Sequence, residues 1–243
     1  MNQPELSLVI PCYNEEGNLR PLVKAIHEAV DPLGIEYEII ITDDCSGDNS
    51  WNVLKELAAA DPRVRVQRFE SNCGESAASW AGMQRARGRY ICTMDADLQN
   101  DPRDLPKFLE ALKYADCVCG TRVQSRGAGD NFLRIASSRI ANAVRRKLSG
   151  DETITDAGCT YRVFKRECIA HVKFWRGAHR FLPQLIEMEG FRIAEVPVSN
   201  HPRFAGRSHY GVWNRLFKSF RDLLGVRWLK SRQLRYRIAE TIN

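Results

Sequence analysis

No apolar run in the 243 residues approaches the roughly 18 uninterrupted positions that a membrane-spanning helix needs. The opening stretch, MNQPELSLVIPCYNEE, lacks a charged segment followed by an apolar one, so an intracellular, soluble or peripherally attached chain is expected. The eight cysteines, at 12, 45, 73, 92, 117, 119, 159 and 168, include no Cys-x-x-Cys pair, which argues against a structural zinc site. The histidines at 27, 171, 179, 201 and 209 show no zinc-like spacing either, and His171 and His179 read as surface or core-edge residues. No G-x-G-x-x-G follows the first apolar run, and neither G-x-x-x-x-G-K-[ST] nor G-x-S-x-G occurs. Nicotinamide binding, P-loop chemistry and nucleophile-elbow hydrolysis therefore lack their fingerprints.

What is present is an ordinary globular composition with an uneven charge. Hydrophobic residues make up 44% and charged residues 27%, which excludes a disordered chain, a collagen or a coiled-coil rod. Cys92, Cys117 and Cys119 lie in apolar, strand-like runs, where cysteine behaves as a small core hydrophobe. Reduced thiols are expected. The net charge of +6 is concentrated at one end. From Asn214 onward eight basic residues face only Asp222 and Glu240, so the first 213 residues are neutral overall. A uniformly basic nucleic-acid binder would not look like this. One end of the molecule is built to meet something anionic, and no nucleic-acid partner is expected.

The first 120 residues alternate strand and helix signals. Leu6–Ile10 is an apolar run ended by Pro11, and Leu19, Leu22, Val23, Ile26 and Val30 then recur at helical spacing. Strands are expected over 37–42, 64–69, 89–94 and 116–120, and helices over 50–60, 75–86 and 105–112. Ala77, Ala78, Ala81 and Gly82 form a stripe small enough for one helix to lie close to its neighbour. Repeated β-α units imply an α/β, Rossmann-like, mostly parallel sheet with helices on both faces. Ligands of such sheets bind at the carboxyl ends of the strands.

At those ends stand Pro11-Cys12-Tyr13-Asn14-Glu15-Glu16, Asp43-Asp44-Cys45-Ser46-Gly47-Asp48, Asp95-Ala96-Asp97-Leu98-Gln99 and Gly120-Thr121-Arg122. Any one cluster could be turn chemistry, since Asp, Asn and Gly favour loops. Several at successive strand ends make a site. Asp95, Asp97 and Gln99 offer hard oxygen ligands suited to Mg²⁺ or Mn²⁺. A hydrolase that phosphorylates its own aspartate would carry D-x-D after the first strand, with Gly-Thr following; here it follows the fourth, with Leu98-Gln99 next.

The ordered set V-I-P-C-Y-N-E-E (9–16), D-D-C-S-G-D (43–48), N-C-G (72–74), D-A-D-L-Q-N-D-P (95–102) and G-T-R (120–122) resembles glycosyltransferase family 2. D-A-D-L-Q, with D-A-G-C-T-Y-R-V-F-K-R (156–166) and H-P-R-F-A-G-R-S-H-Y-G (201–211), is similar to the polyprenyl-phosphate sugar synthases, the dolichol-phosphate mannose synthase-like group. The resemblance covers about residues 5–212 and implies a GT-A fold using a nucleotide-diphosphate sugar. It implies that Pro11, Tyr13 and Glu15 hold base and ribose, and that Ile41 and Asp43 read the base, Asp43 accepting from a ring N–H. Asp95, Ala96 and Asp97 would meet ribose, metal and diphosphate, with Asp95, Asp97 and Gln99 as the metal set. Arg122 and Arg203 would bind phosphate oxygens, and Asp156 would orient the acceptor. The catalytic set is thus Asp97, Arg122 and Asp156. Cys45 stands where the pattern usually has glycine, and Gly158-Cys159 where mannose synthases usually have Ser-Gly-Phe.

The acceptor end is read from two apolar stripes. Leu133, Ala136, Ile140, Val144 and Leu148 share one face of an expected helix over 131–148. Trp213, Leu216, Phe217, Phe220, Leu223 and Leu224 form another, which Val226, Trp228 and Leu229 continue past Gly225. Such stripes usually pack on a core. With the whole net charge in the same tail, an interfacial helix on an anionic leaflet becomes the favoured reading. The expectation is a catalytic domain over 1–212 and a basic amphipathic segment over 213–243. Together they would form an inverting transferase to polyprenyl phosphate, peripheral on the cytoplasmic membrane face. The alternatives are a family 2 transferase acting on a glycan or lipopolysaccharide precursor, and a catalytically silent subunit that recruits a membrane protein partner.

Overall fold

The computed structural model describes residues 3–122, 154–156, 158–202, 212–234 and 237–242, with the backbone alone for 212–219. Arg203, the expected helix over 131–148 and the side chains of Trp213, Leu216 and Phe217 lie outside the described residues.

Seven strands form one sheet in the order β3-β2-β1-β4-β6-β5-β7. They are β1 (Leu6–Cys12), β2 (Tyr37–Asp43), β3 (Val64–Arg68), β4 (Tyr90–Thr93), β5 (Cys117–Thr121), β6 (Arg162–Lys165) and β7 (Ile193–Pro197). The pairs β1–β2, β2–β3, β1–β4 and β5–β7 are parallel, whereas β6 runs antiparallel between β4 and β5. The helices are α1 (Glu16–Val30), α2 (Ser50–Ala60), α3 (Glu75–Arg85), α4 (Leu105–Ala111), α5 (Leu182–Met188) and α6 (Val212–Ser231).

Successive strand residues serve opposite faces. Leu8, Ile10, Ile39 and Ile41 pack with Leu19, Leu22 and Ile26 of α1, Leu54 of α2 and Phe108 of α4. Val9, Ile40, Ile91 and Phe164 pack with Met83 of α3 and with Leu182 and Ile186 of α5. The expected doubly covered, mostly parallel sheet is what these residues build.

Three expectations need correction. Pro11 does not end β1, which runs to Cys12. The β4 ladder on that side stops at Val9↔Thr93, with Met94 N–H donating to Val9 O, so a residue without an N–H is tolerated two positions on. The close face of α3 is carried by Gly82 more than by Ala77 and Ala81, which stay half-buried. A Cβ on Gly82 would sit 2.5 Å from Val9 Cγ1, so no other residue lets α3 lie this close to β1. The antiparallel β6 is the third, because a chain of β-α units gives no hint of a strand inserted between β4 and β5. The cysteines are free, and Cys12, Cys92, Cys117, Cys119, Cys159 and Cys168 are buried. Burial pushes the Cys12 thiol up to about 12, as suits an inert core residue.

Candidate functional site

In this sheet the strand order reverses between β1 and β4, the switch point where a doubly wound sheet opens a crevice. Each of three loops at that edge carries a non-glycine residue in the left-handed region: Asn14 after β1 (φ 56°), Cys45 after β2 (φ 60°) and Leu98 after β4 (φ 60°). For a side chain as bulky as Leu98 this is a strained geometry, worth roughly 1–3 kcal/mol, and strain of this kind collects where a loop must hold a set shape. It also explains why glycine is the usual residue at the position of Cys45.

The β1 and β2 loops are laced together. Asn14 N–H donates to Ser46 Oγ at 2.9 Å and Glu15 N–H to Ser50 Oγ at 2.9 Å. In return Gly47 N–H donates to Asn14 Oδ1 at 2.8 Å, and Asn49 N–H to Glu16 Oε2 at 2.8 Å. Within this lattice Tyr13 is exposed, with Pro11 and Glu15 half-buried at the edge. Ile41 and Asp43 are both fully enclosed. Ile41 is a core residue whose side chain offers nothing to a base. Asp43 is bonded to Ser46 and pairs with Arg68 Nε at 3.0 Å, so its oxygens shape the loop instead of facing outward. Its neighbour Asp44 fixes the approach to α3, accepting from Cys73 N–H at 2.7 Å and Gly74 N–H at 2.8 Å. Burial raises the Asp44 carboxyl above its ordinary value, although both amides oppose the shift.

At the β4 edge Asp95 is half-buried and accepts from Thr160 Oγ1 at 2.7 Å. Asp97 is buried and accepts from Gln99 N–H at 3.1 Å; Ala96 between them is buried and Gln99 half-buried. Burial and the nearby Asp97 charge hold the Asp95 carboxyl above the usual carboxylate range, while Thr160, Arg122 and Arg162 pull the other way. The next turn is latched to a later segment. His201 N–H donates to Gln99 O at 3.0 Å, His201 Nε2 lies 3.0 Å from Asp101 Oδ2, and Ser199 N–H donates to Asp104 Oδ2 at 2.7 Å. Residues 199–201 therefore run alongside Gln99, Asp101 and Asp104.

Arg122, past the end of β5, meets Asp156 through Nε at 2.8 Å and Nη2 at 3.1 Å. Asp156 was expected to orient an acceptor. With 2% exposure and both oxygens on the Arg122 fork, its carboxylate braces the arginine. Glu195 of β7 holds the segment before it, accepting from Thr155 N–H at 2.8 Å and Thr155 Oγ1 at 2.7 Å. A Cβ on Gly158 would crowd Arg122 Nη2 at 3.2 Å, so the small residue there leaves the guanidinium its place.

Among the described residues no group of three His, Cys, Asp or Glu side chains could hold a metal by itself. Two carboxylates and an amide, all oxygen donors, fit a hard divalent cation that takes its other ligands from a diphosphate. The desolvated Asp95–Asp97 pair is the kind of repulsion such a cation relieves. Sequence reasoning missed Asp44, Arg68, Thr160 and Glu195. Asp44 and Thr160 lay inside quoted motifs, whereas Arg68 and Glu195 sit in strands where nothing but the pairing reveals them.

The profile of Glycosyl transferase family 2 matches residues 7–172. The chain is 37% identical over 227 residues to a dodecaprenyl-phosphate galacturonate synthase of Rhizobium johnstonii, covering 91% of this chain and 66% of that protein. It is 35% identical over 208 residues to an undecaprenyl-phosphate 4-deoxy-4-formamido-L-arabinose transferase of Edwardsiella ictaluri, covering 85% and 63%. The chain thus spans a little under two thirds of the length of these relatives. Among solved structures, glucosyl-3-phosphoglycerate synthase from Mycobacterium tuberculosis with Mn²⁺, uridine diphosphate and phosphoglyceric acid aligns at a TM-score of 0.69 and 17% identity, covering 96% of this chain and 80% of that one. That likeness supports the GT-A fold.

Proposed function

The chain belongs to glycosyltransferase family 2, and from that premise we propose that it moves a sugar from a nucleotide-diphosphate sugar (UDP- or GDP-linked) to a polyprenyl phosphate at the cytoplasmic membrane face. The observation that carries this reading is the meeting of Asp95, Asp97 and the braced Arg122 at the switch-point edge. Both curated relatives reported above are polyprenyl-phosphate sugar transferases by name.

In this reading the β1 and β2 loops seat the nucleoside: Tyr13 and Glu15 face base and ribose while Asp43, through Ser46 and Arg68, fixes the loop around them. Asp95, Asp97 and Gln99 would hold Mg²⁺ or Mn²⁺. Bound there, the cation supplies positive charge to offset what grows on the departing diphosphate. Arg122 adds a fixed guanidinium for the same oxygens, and its pairing with Asp156 means no reorganisation is needed when the charge develops. Arg203 would bind the same oxygens. The acceptor phosphate, with a second pKa near 6, is mostly dianionic at neutral pH and needs no strong base. Its oxygen attacks the anomeric carbon as the bond to the nucleoside diphosphate breaks, in a single displacement that inverts the centre.

Residues 1–212 act as the catalytic unit and 213–243 as the segment that meets the membrane surface. Among the described residues no helix is long and apolar enough to cross a membrane. Leu223 and Val226 of α6 are buried against Phe181, with Trp175 packed alongside, and Lys230 pairs with Glu187 at 3.0 Å. On the outer side Phe220, Leu224 and Trp228 recur every fourth residue, 48%, 44% and 60% exposed, among exposed Arg221, Arg227 and Arg232. An aromatic stripe flanked by arginines is the composition of an interfacial helix on an anionic leaflet.

The test is nucleotide release from a panel of UDP- and GDP-sugars with polyprenyl phosphate and Mn²⁺. Turnover with one donor class is expected, and Asp97→Asn should reduce it at least a hundredfold, because the substitution removes ligand charge where the diphosphate binds. Near-normal turnover in that variant would remove the metal assignment.

A further inference from the structure

A small cavity lies behind Asp95, between the carboxyl ends of β1 and β4, the first turns of α3 and the Ala178–Phe181 turn. Its volume is about 20 Å³, and its polar lining is Glu75, Ser79, Thr93, Asp95, Thr160, Arg162 and His179. That is room for one oxygen-sized group. The lining is nearly satisfied within itself. Asp95 accepts from Thr160, and Thr93 Oγ1 donates to Thr160 O at 2.8 Å. His179 meets Ser76 Oγ through Nδ1 at 2.6 Å and Glu75 Oε1 through Nε2 at 3.4 Å. Ser76 Oγ also accepts from Gly177 N–H at 2.7 Å.

Arg162 is the exception. It is 2% exposed, and Nη1 donates to His179 O at 2.5 Å, but Nε–H has no acceptor among the described residues. A buried guanidinium donor left without an acceptor is expensive, and such groups in native proteins mark where another oxygen belongs.

We propose that this cavity is a donor-sugar subsite, in which one oxygen of the transferred sugar, a hydroxyl or a carboxylate oxygen, accepts a hydrogen bond from Arg162 Nε–H beside Asp95. The proposal rests on the donor reading above, because only a donor bound along the β1–β4 edge presents its sugar here. A hydroxyl could donate onward to Asp95 or Glu75, whereas a carboxylate would bring an anion to the one cation lining the cavity. Arg162 would thus be a specificity-determining residue, working on the sugar and not on the nucleotide. The larger cavity, about 440 Å³ between α1 and α2 and lined by His27, Asp31 and Asp61, borders the last turn of each helix, away from this edge, and has no such unpaired donor.

The test is calorimetric titration of the full chain with Mn²⁺. UDP and GDP are titrated first, and the sugar series is built on whichever binds: the hexose, the hexuronate and the monodeoxy hexoses. Arg162→Lys keeps the charge but removes the fork. It should leave the nucleoside diphosphate within threefold of wild type and weaken the nucleotide-sugar about tenfold or more, since a charge-assisted bond is lost from a buried site. For a hydroxyl, one deoxy sugar should lose a similar factor on the wild type and nothing further on the variant; for a carboxylate, the hexuronate should bind the wild type about tenfold tighter than the hexose and lose that gain on the variant. If the variant weakens the hexuronate most, the oxygen is a carboxylate; if it weakens hexose and hexuronate alike, it is a hydroxyl. The proposal is overturned if nucleotide and nucleotide-sugar weaken together. It is equally overturned if every deoxy sugar binds the wild type within threefold of the hexose and the hexuronate binds within threefold of the hexose too, which means that the cavity holds only water. That second measurement needs no variant and decides the matter should Arg162→Lys fail to fold. Absence of both UDP and GDP binding would remove the donor reading itself, and the subsite with it.

Discussion

The two halves of the sheet hold their loops by different means. On the β3-β2-β1-β4 side the strands are parallel, and the loops after β1 and β2 are tied by main-chain donors to neighbouring side chains, Asn14 to Ser46, Glu15 to Ser50 and Gly47 to Asn14. On the β6-β5-β7 side the antiparallel β6 interrupts the pattern, and the site rests on one charge pair, Arg122–Asp156, steadied from β7 by Glu195. A lattice of many shared bonds yields slightly when one main-chain-to-side-chain bond is lost. A single buried ion pair fails outright when one partner goes, because the other charge is left without compensation.

That contrast orders the expected effects. Asp156→Ala should be the most damaging. It strands the Arg122 guanidinium, whose side chain is 19% exposed, should destabilise the fold by about 3 kcal/mol, and should reduce turnover. Urea denaturation beside nucleotide release measures both, and a variant of wild-type stability would place the strength of this half elsewhere. Next is Asp43→Ala, which should raise the donor KM about tenfold and leave the acceptor KM nearly unchanged, as expected when lost binding is felt equally in ground and transition states. A rise in the acceptor KM instead would break the assignment of this half to the nucleotide.

A smaller and more specific effect is expected from replacing Phe220, Leu224 and Trp228 together by serine. Leu223 and Val226 remain, so the seat of α6 on Phe181 should survive while sedimentation with anionic liposomes falls several-fold. The residual binding should weaken further with salt, since exposed charges are screened beyond about 8 Å at physiological ionic strength. Unchanged sedimentation would move the membrane contact to another surface. Cys45→Gly should have the smallest effect, a stabilisation of about 1 kcal/mol from relief of the left-handed backbone at φ 60°. Loss of stability would mean that the Cys45 side chain contributes more than its backbone costs.

The same contrast governs how much could be read from the sequence. In the parallel half each strand is a short apolar run, each helix has its own stripe and each acidic loop follows directly, so Leu8, Ile39, Leu22 and the 43–48 loop were legible from local pattern. Asp43 was found, but nothing in D-D-C-S-G-D tells which aspartate turns inward onto Arg68 and which holds Cys73 and Gly74. Beyond β5 the information is non-local. Arg122 and Asp156 are 34 positions apart, and β6 pairs with two strands that precede it by more than 40 residues. Arg162 lay within the quoted 156–166 motif, yet its unpaired Nε–H emerges only once β6 is placed beside β4. The tail stripe was read as one apolar face; the structure divides it into a buried row at Leu223 and Val226 and an exposed row at Phe220, Leu224 and Trp228.

The central claim, that one edge of this sheet joins a nucleotide-sugar to a lipid phosphate, is tested most directly by following the sugar itself. The full chain is incubated with Mn²⁺, undecaprenyl phosphate in anionic vesicles and sugar-labelled UDP- and GDP-donors, and the label is partitioned between organic and aqueous phases. The account predicts label in the organic phase for one donor class, dependent on added lipid phosphate and absent with Asp97→Asn. Nucleotide released while all of the label stays in water, with or without lipid, would contradict it.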